Sequence, residues 1–305
     1  MLFNDILSLN NKRKASTVYS YDFSKLYTNI PHALLKENIK FVLDEAFNIK
    51  DGYDFIKINK KSASWAKKKP SKTNILYLTK EEVLSLLDYL LDNIYIKYRS
   101  ELFRQVIGVP MGTDCAPDLA NLFLFAFEYK YVMGLIDTNN NDLMLLRFIY
   151  RYIDDLLVLN DRGYFDRIYS NIYPHELELK ATMSSNSSTS YLDMDITSHE
   201  GKFIHKLYDK RNDFEFKVIS LPNLASNIPI NQAYGTFYSQ VIRYFKANNN
   251  YTNFVNDVKC LTDKLCNQNF KRRLLQIYTK TFLRKFDYEL KSKFLVNSSM
   301  SNFVA

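Results

Sequence analysis

Cysteine, histidine, glycine and proline are all scarce in this 305-residue chain. Its three cysteines (Cys115, Cys260, Cys266) form an odd, sparse set without zinc-ligand spacing, and only four histidines accompany them. A reduced intracellular compartment, nucleus or cytoplasm, is the expectation. Met1-Leu2-Phe3-Asn4-Asp5 lacks the basic head and apolar core of a secretory leader. No apolar run looks as long as a bilayer span, so no membrane association is expected. Nothing in the sequence sets an oligomeric state.

What is present is the makeup of a globular chain, 47% hydrophobic, long enough for one large or two modest domains. Net charge is +8, and 23 tyrosines and 22 phenylalanines supply many flat rings. Basic charge attracts phosphate backbones and rings can stack on unpaired bases. Rings that only fill a core, and an anionic membrane as the attractor, are the competing explanations.

Residues 1–15 end in Asn11-Lys12-Arg13-Lys14, a polar lead-in of the kind that stays disordered. Residues 17–23 alternate as a strand ending near an acid, and Pro31 precedes a helix with Leu34, Leu35, Ile39, Val42, Leu43 and Phe47 on one face. From about 48 to 78 comes a basic insertion with Lys60-Lys61, Trp65 and Lys67-Lys68-Lys69-Pro70, read as irregular. It is either a solvated loop or a phosphate contact. Thr79-Lys80-Glu81-Glu82 has the form of a capping box opening a helix. A strand pair follows at 94–98 and 102–106. Next comes Gly108-Val109-Pro110-Met111-Gly112, which spends two of seven glycines just before a helix that Thr113 or Asp114 could cap. Either a nucleotide or a plain tight turn accounts for that loop.

Arg147 to Leu159 reads as a hairpin with two adjacent carboxylates, Asp154 and Asp155, at its tip. Beyond it a helix at 164–173, a strand at 176–180, a polar loop at 184–190 and a hairpin from Tyr191 to Tyr208 are expected. Three amphipathic helices at 231–247, 251–267 and 270–293 and a polar tail from 297 complete the chain. The order makes an α+β domain, residues 1–230, followed by an all-α one, 231–305.

A solvated turn is the plain reading of Asp154-Asp155. Yet two adjacent acids without glycine repel, and Asp22, 132 residues earlier, ends a strand of its own. If the two elements are neighbours in one sheet, three carboxylates converge, and hard oxygen donors select Mg²⁺ or Mn²⁺. Two such ions would clamp the attacking and leaving oxygens of an in-line phosphoryl displacement.

Asp22-Phe23-Ser24-Lys25-Leu26-Tyr27, Gly108-Val109-Pro110-Met111-Gly112 and Tyr152-Ile153-Asp154-Asp155 resemble motifs A, B and C of reverse transcriptases, in that order. The wider wording resembles the Penelope-like retroelement branch, whose enzymes are related to telomerase. It includes Tyr27-Thr28-Asn29-Ile30-Pro31-His32, Met111-Gly112-Thr113, Ala120-Asn121-Leu122-Phe123, Arg151-Tyr152-Ile153-Asp154-Asp155 and Tyr191-Leu192-Asp193. The resemblance spans about residues 17–210. It implies a polymerase palm with an antiparallel sheet and packed helices, then a helical thumb.

It also implies an RNA-directed DNA polymerase of a retrotransposon, with two Mg²⁺ (or Mn²⁺) ions, an RNA template, a DNA primer and dNTPs. Asp22, Asp154 and Asp155 would be the catalytic, metal-holding acids. Tyr27 would exclude a ribose 2′-hydroxyl. Gly108, Pro110, Met111 and Gly112 would border the nucleotide, and Lys180 would face the departing pyrophosphate. Tyr191, Leu192 and Asp193 would begin the primer grip. The bland alternatives are a core aromatic at Tyr27 and an exposed strand lysine at Lys180. Many reverse transcriptases carry glutamine where Met111 stands. About 20 residues precede motif A, so the family's fingers are expected to be largely missing. The competing functions are a catalytically impaired or domesticated nucleic-acid-binding remnant and an unrelated two-metal nuclease.

Overall fold

The computed structural model describes residues 2–71, 74–182, 185–216, 218 and 221–294. In chain order the elements are α1 (Leu2–Asn11), β1 (Val18–Ser24), α2 (Leu26–Asn29), α3 (His32–Ile49), β2 (Phe55–Ile58), β3 (Ala63–Ala66), β4 (Leu76–Leu78), α4 (Lys80–Asp92), β5 (Tyr95–Tyr98), β6 (Glu101–Arg104) and α5 (Ala116–Asp137). There follow β7 (Ile149–Tyr152), β8 (Asp155–Leu159), α6 (Phe165–Ile172), β9 (Glu178–Ala181), β10 (Ser188–Tyr191), β11 (Met194–His199), β12 (Lys202–Leu207), α7 (Ile230–Ala247), α8 (Tyr251–Cys266), α9 (Arg272–Lys285) and α10 (Asp287–Phe294). The architecture is α+β with antiparallel pairing and a C-terminal helical bundle, as expected.

The chain falls into two compact units, one of Tyr21–Leu156 with Asp161–Ala181, the other of Met1–Ser20, Leu157–Asn160 and Thr182–Ala305. A four-stranded sheet in the order β7-β8-β1-β9 carries the acids. In the first unit Phe23, Leu26, Ile30, Leu35, Leu91, Phe123, Leu124 and Phe165 are almost wholly buried. α3 lies on α5, where Asn38 Nδ2 donates to the Phe123 carbonyl at 3.3 Å and Lys130 Nζ donates to Asn38 Oδ1 at 3.1 Å. The expected capping box of α4 is present: Glu82 N–H donates to Thr79 Oγ1 (3.2 Å) and Thr79 N–H to Glu82 Oε2 (2.8 Å).

Several expectations need correction. The basic insertion is not irregular: it folds as a sheet in the order β3-β2-β4, with Trp65 edge-on to Phe47 at 4.9 Å. Its four-residue strands are too short to show alternation among the lysines. Residues 2–11 are helical, because Ile6 and Leu9 are buried and Asn10 exchanges two hydrogen bonds with the Phe203 backbone (2.6 and 2.9 Å). α5 starts from Cys115 without a side-chain cap, while Thr113 Oγ1 turns back to the Pro110 carbonyl.

α5 is also long and apolar enough to cross a membrane, by length and composition alone. No apolar run had looked that long, because polar Asn121, Glu128 and Lys130 interrupt it. Those same side chains bond within the unit. Part of the polar loop is strand β10, and Tyr191 belongs to it instead of opening the next hairpin. The long last helix breaks at Phe286 into α9 and α10. The tail expected to fray, 297–305, lies outside the described residues.

In the second unit α7 to α10 enclose Phe237, Val241, Phe254, Leu275, Phe282 and Leu290. His205 on β12 is buried, its Nδ1 2.6 Å from the Ala247 carbonyl at the end of α7. Burial depresses its imidazole pKa to about 4. The unfolded chain, with an ordinary histidine near 6.5, binds more protons between those values. Stability from His205 is therefore full above pH 6.5 and declines as pH falls toward 4. In His205→Gln, thermal melts between pH 7 and pH 4 are expected to fall less steeply than those of the natural chain.

Candidate active site

Two elements distant in sequence meet through the backbone. Phe23 N–H donates to the Asp154 carbonyl at 3.1 Å, so Asp22 and Asp154 stand at neighbouring positions on adjoining segments. Ile153 and Asp154 form the two-residue turn between β7 and β8, and Asp155 is the first residue of β8. On the other flank of β1, Asp22 is paired across the ladder with Lys180 of β9. The two side chains therefore project to the same face. The Lys180 ammonium sits 3.1 Å from Glu178.

The turn is held under strain. Ile153 has φ of +56°, a left-handed backbone that disfavours a β-branched residue by roughly 1–3 kcal/mol. Arg151 offsets that cost. It donates to the Ile153 carbonyl at 3.2 Å, to both carboxylate oxygens of Glu128 (2.5 and 3.0 Å) and to Asn121. Tyr173 donates to the same Glu128 at 2.8 Å, and its ring lies edge-on to Phe23 at 4.8 Å. Burial, then the Glu128 charge, raises the Tyr173 phenol well above its ordinary pKa, so it stays a donor. This network ties the acidic turn to α5. Its signal in sequence is a lone arginine inside an apolar strand, immediately before the acids.

Tyr27 on α2 faces the same acid. Its phenol pKa is raised by burial first, then by the charge of Asp154 and by Tyr152. Against α2 lies the glycine loop. Gly108 N–H donates to the Ile30 carbonyl (2.8 Å), Val109 N–H to the Tyr27 carbonyl (2.6 Å), and His32 Nε2 contacts the Gly108 carbonyl at 2.7 Å. Gly108 has φ of +83°, and a Cβ there would stand 2.5 Å from the Tyr27 carbonyl oxygen. The close approach it allows is thus to α2. Gly112 is different: nothing lies within 4 Å of a Cβ at that position, and Met111 beside it is 71% exposed. Pro110 is half-buried and its carbonyl accepts from Thr113.

Among the described residues no three His, Cys, Asp or Glu side chains are gathered closely enough to hold a metal ion unaided. The backbone sets two carboxylates, hard oxygen donors, at neighbouring positions: Asp22 on β1 and Asp154 in the β7–β8 turn. That suits Mg²⁺, which takes one or two carboxylates and completes its shell with water and substrate phosphates. Tyr191, Leu192 and Asp193 belong to the second unit. Leu192 makes the β10–β11 turn with φ of +52°, and Arg243 of α7 donates from Nε and Nη2 to the two carboxylate oxygens of Asp193.

No family model matches the sequence, and no curated protein does. Among solved structures the chain is similar to telomerase from Candida albicans in complex with a TWJ fragment of telomeric RNA. The TM-score is 0.57 at 13% identity, over 99% of this chain and 49% of that one. The fold is reverse-transcriptase-like. Telomerase structures from Candida tropicalis, apo and with a TWJ fragment of telomeric RNA, align at TM-scores of 0.44 and 0.45 and 12% identity. They cover 96% and 99% of this chain and 47% and 43% of theirs. The chain thus spans about half the length of the solved structures it resembles.

The two glycines of the loop can be told apart by substitution. Gly108→Ala is expected to cost on the order of 2–3 kcal/mol, through its positive φ and the clash with Tyr27. That should lower the thermal midpoint by roughly 5 °C or more. Gly112→Ala should leave the midpoint within about 1 °C. Equal shifts in differential scanning calorimetry would contradict the packing of the loop on α2.

Proposed function

We propose that this chain is an RNA-directed DNA polymerase domain that adds deoxynucleotides to a primer 3′-hydroxyl along an RNA template, of the Penelope-like retroelement type. The observation that carries this reading is the Phe23–Asp154 backbone bond, which sets Asp22 beside Asp154 within a reverse-transcriptase-like fold. The motif resemblance and the telomeric RNA bound by the Candida albicans relative support the choice of template. In this reading the α+β part is the palm and α7 to α10 are the thumb.

Asp22 and Asp154 would hold two Mg²⁺ (or Mn²⁺) ions, with Asp155 more loosely engaged. Bound there, the ions would lower the pKa of the attacking hydroxyl and neutralise charge on the transferring phosphoryl group. The chain's own work is placement. The Arg151–Glu128 pair fixes the carboxylate turn, and the Gly108 loop fixes α2 and so Tyr27. A deoxyribose would lie against the Tyr27 ring, where an added 2′-hydroxyl would collide. Lys180, opposite Asp22, would give up its contact with Glu178 to donate a proton to the leaving pyrophosphate. Tyr191, Leu192 and Asp193, braced by Arg243, would support the primer end.

Purified protein with an RNA template, DNA primer, dNTPs and Mg²⁺ is expected to extend the primer. Asp154→Asn should reduce the rate at least about a hundredfold, since it removes a direct metal ligand. Primer–template binding without synthesis in the natural chain would favour the non-catalytic alternative. Tyr27→Ala should raise ribonucleotide over deoxynucleotide incorporation by roughly tenfold, the scale of one lost steric contact. An unchanged ratio would remove Tyr27 from that role.

A further inference from the structure

The lysine-rich sheet β3-β2-β4 takes no part in the site described above. Residues 50–71 hold seven lysines against two aspartates. Lys60 and Lys61 occupy the β2–β3 turn, closed by Asn59 N–H to the Ser62 carbonyl at 2.8 Å. Lys67, Lys68 and Lys69 follow β3 at the opposite end of the hairpin, and Lys57 lies between, paired with Ser64. Those five end lysines are exposed, and among the described residues none of them enters an ion pair. Crowded, unpaired ammonium groups repel one another, a cost that a polyanion would relieve.

The rings of the module are already engaged. Trp65 packs edge-on to Phe47, Phe55 lies 6.3 Å from Tyr77, and the Tyr53 ring sits under the Lys67 ammonium at 5.2 Å. No large hydrophobic side chain between 50 and 71 is exposed. Exposed Ile75 and Leu76 lie at β4, on the far edge of the sheet, and the β2–β3 hairpin itself offers neither a ring to stack on an unpaired base nor an apolar anchor for a bilayer. It offers charge alone, in two clusters. A four-residue strand separates them by roughly 13 Å, comparable with the ~12 Å major groove whose two edges are phosphate backbones.

We propose that this sheet is a docking surface for double-stranded nucleic acid, gripping phosphodiester backbones on both sides of a groove without reading bases, and separate from the acidic site. The inference requires no catalysis, so it stands or falls apart from the polymerase reading.

The test measures binding of a 20-base-pair DNA duplex and of its single strands by fluorescence anisotropy, without divalent ions or dNTPs, across a salt series. The variant K60A/K61A/K67A/K68A/K69A is compared with the natural chain and with the five-fold Lys→Arg variant. The expected result is at least tenfold weaker duplex binding in the alanine variant. The slope of log affinity against log salt should shrink by roughly 0.9 for each lysine that meets a phosphate. The arginine variant should retain binding. Unchanged melting temperatures would show that the fold is intact. Duplex affinity and slope unaltered by the alanine changes would overturn the proposal. So would a loss confined to single strands, or lysine-dependent capture of phosphatidylserine vesicles with duplex binding unaffected.

Discussion

One main-chain hydrogen bond, from Phe23 N–H to the carbonyl of Asp154, sets the geometry of the candidate site. Two aspartates 132 residues apart become neighbours because β1 and β8 adjoin in one sheet. The pairing is anchored by burial: Tyr21, Phe23, Leu156 and Leu157 are each at most 3% exposed. Apolar side chains thus meet the cost of bringing like charges together, and the carboxylates are carried to the strand ends as a consequence.

Around that bond the chain spends strain and packing on placement. Ile153 accepts a left-handed backbone so that the turn between β7 and β8 needs only two residues. Arg151 returns part of the cost by bonding the Ile153 carbonyl and anchoring to Glu128 of α5. A partly buried ion pair of this kind adds little net stability over an apolar pair of equal volume, but its loss leaves a charge stranded. Its value here lies in geometry. Gly108 plays a comparable role on the other side, letting the loop backbone touch α2 and so fix where Tyr27 stands.

The electrostatics are partitioned. Acids are gathered at the end of the β7-β8-β1-β9 sheet, and exposed lysines are gathered on β3-β2-β4, a separate sheet. The exposed lysines stand in the β2–β3 turn and after β3, while Tyr77 is buried and Trp65 packs on Phe47.

Much of this was legible in sequence. Alternation over 17–23, the apolar run at 156–159, the Thr79–Glu82 cap and the helical periodicity of 231–293 are local signals, and local physics reproduces them. The spacing of Asp22, Gly108 and Asp154-Asp155 carried the family resemblance, because chemistry demands those residue types in that order. Short strands buried in lysine-rich sequence, the helix at Leu2–Asn11 and the break at Phe286 were not legible. Each exists because of partners far away: Trp65 on Phe47, Asn10 on Phe203, and Phe286 against Phe245 and Phe282. The sequence by itself determined the helices and strands whose periodicity is local, such as β1, α4 and α7 to α9. Only the tertiary structure decided that Asp22 and Asp154 adjoin, that Arg151 braces their turn and that Gly108 serves α2. Those are non-local contacts, and their energy lies in packing that no single stretch of sequence contains.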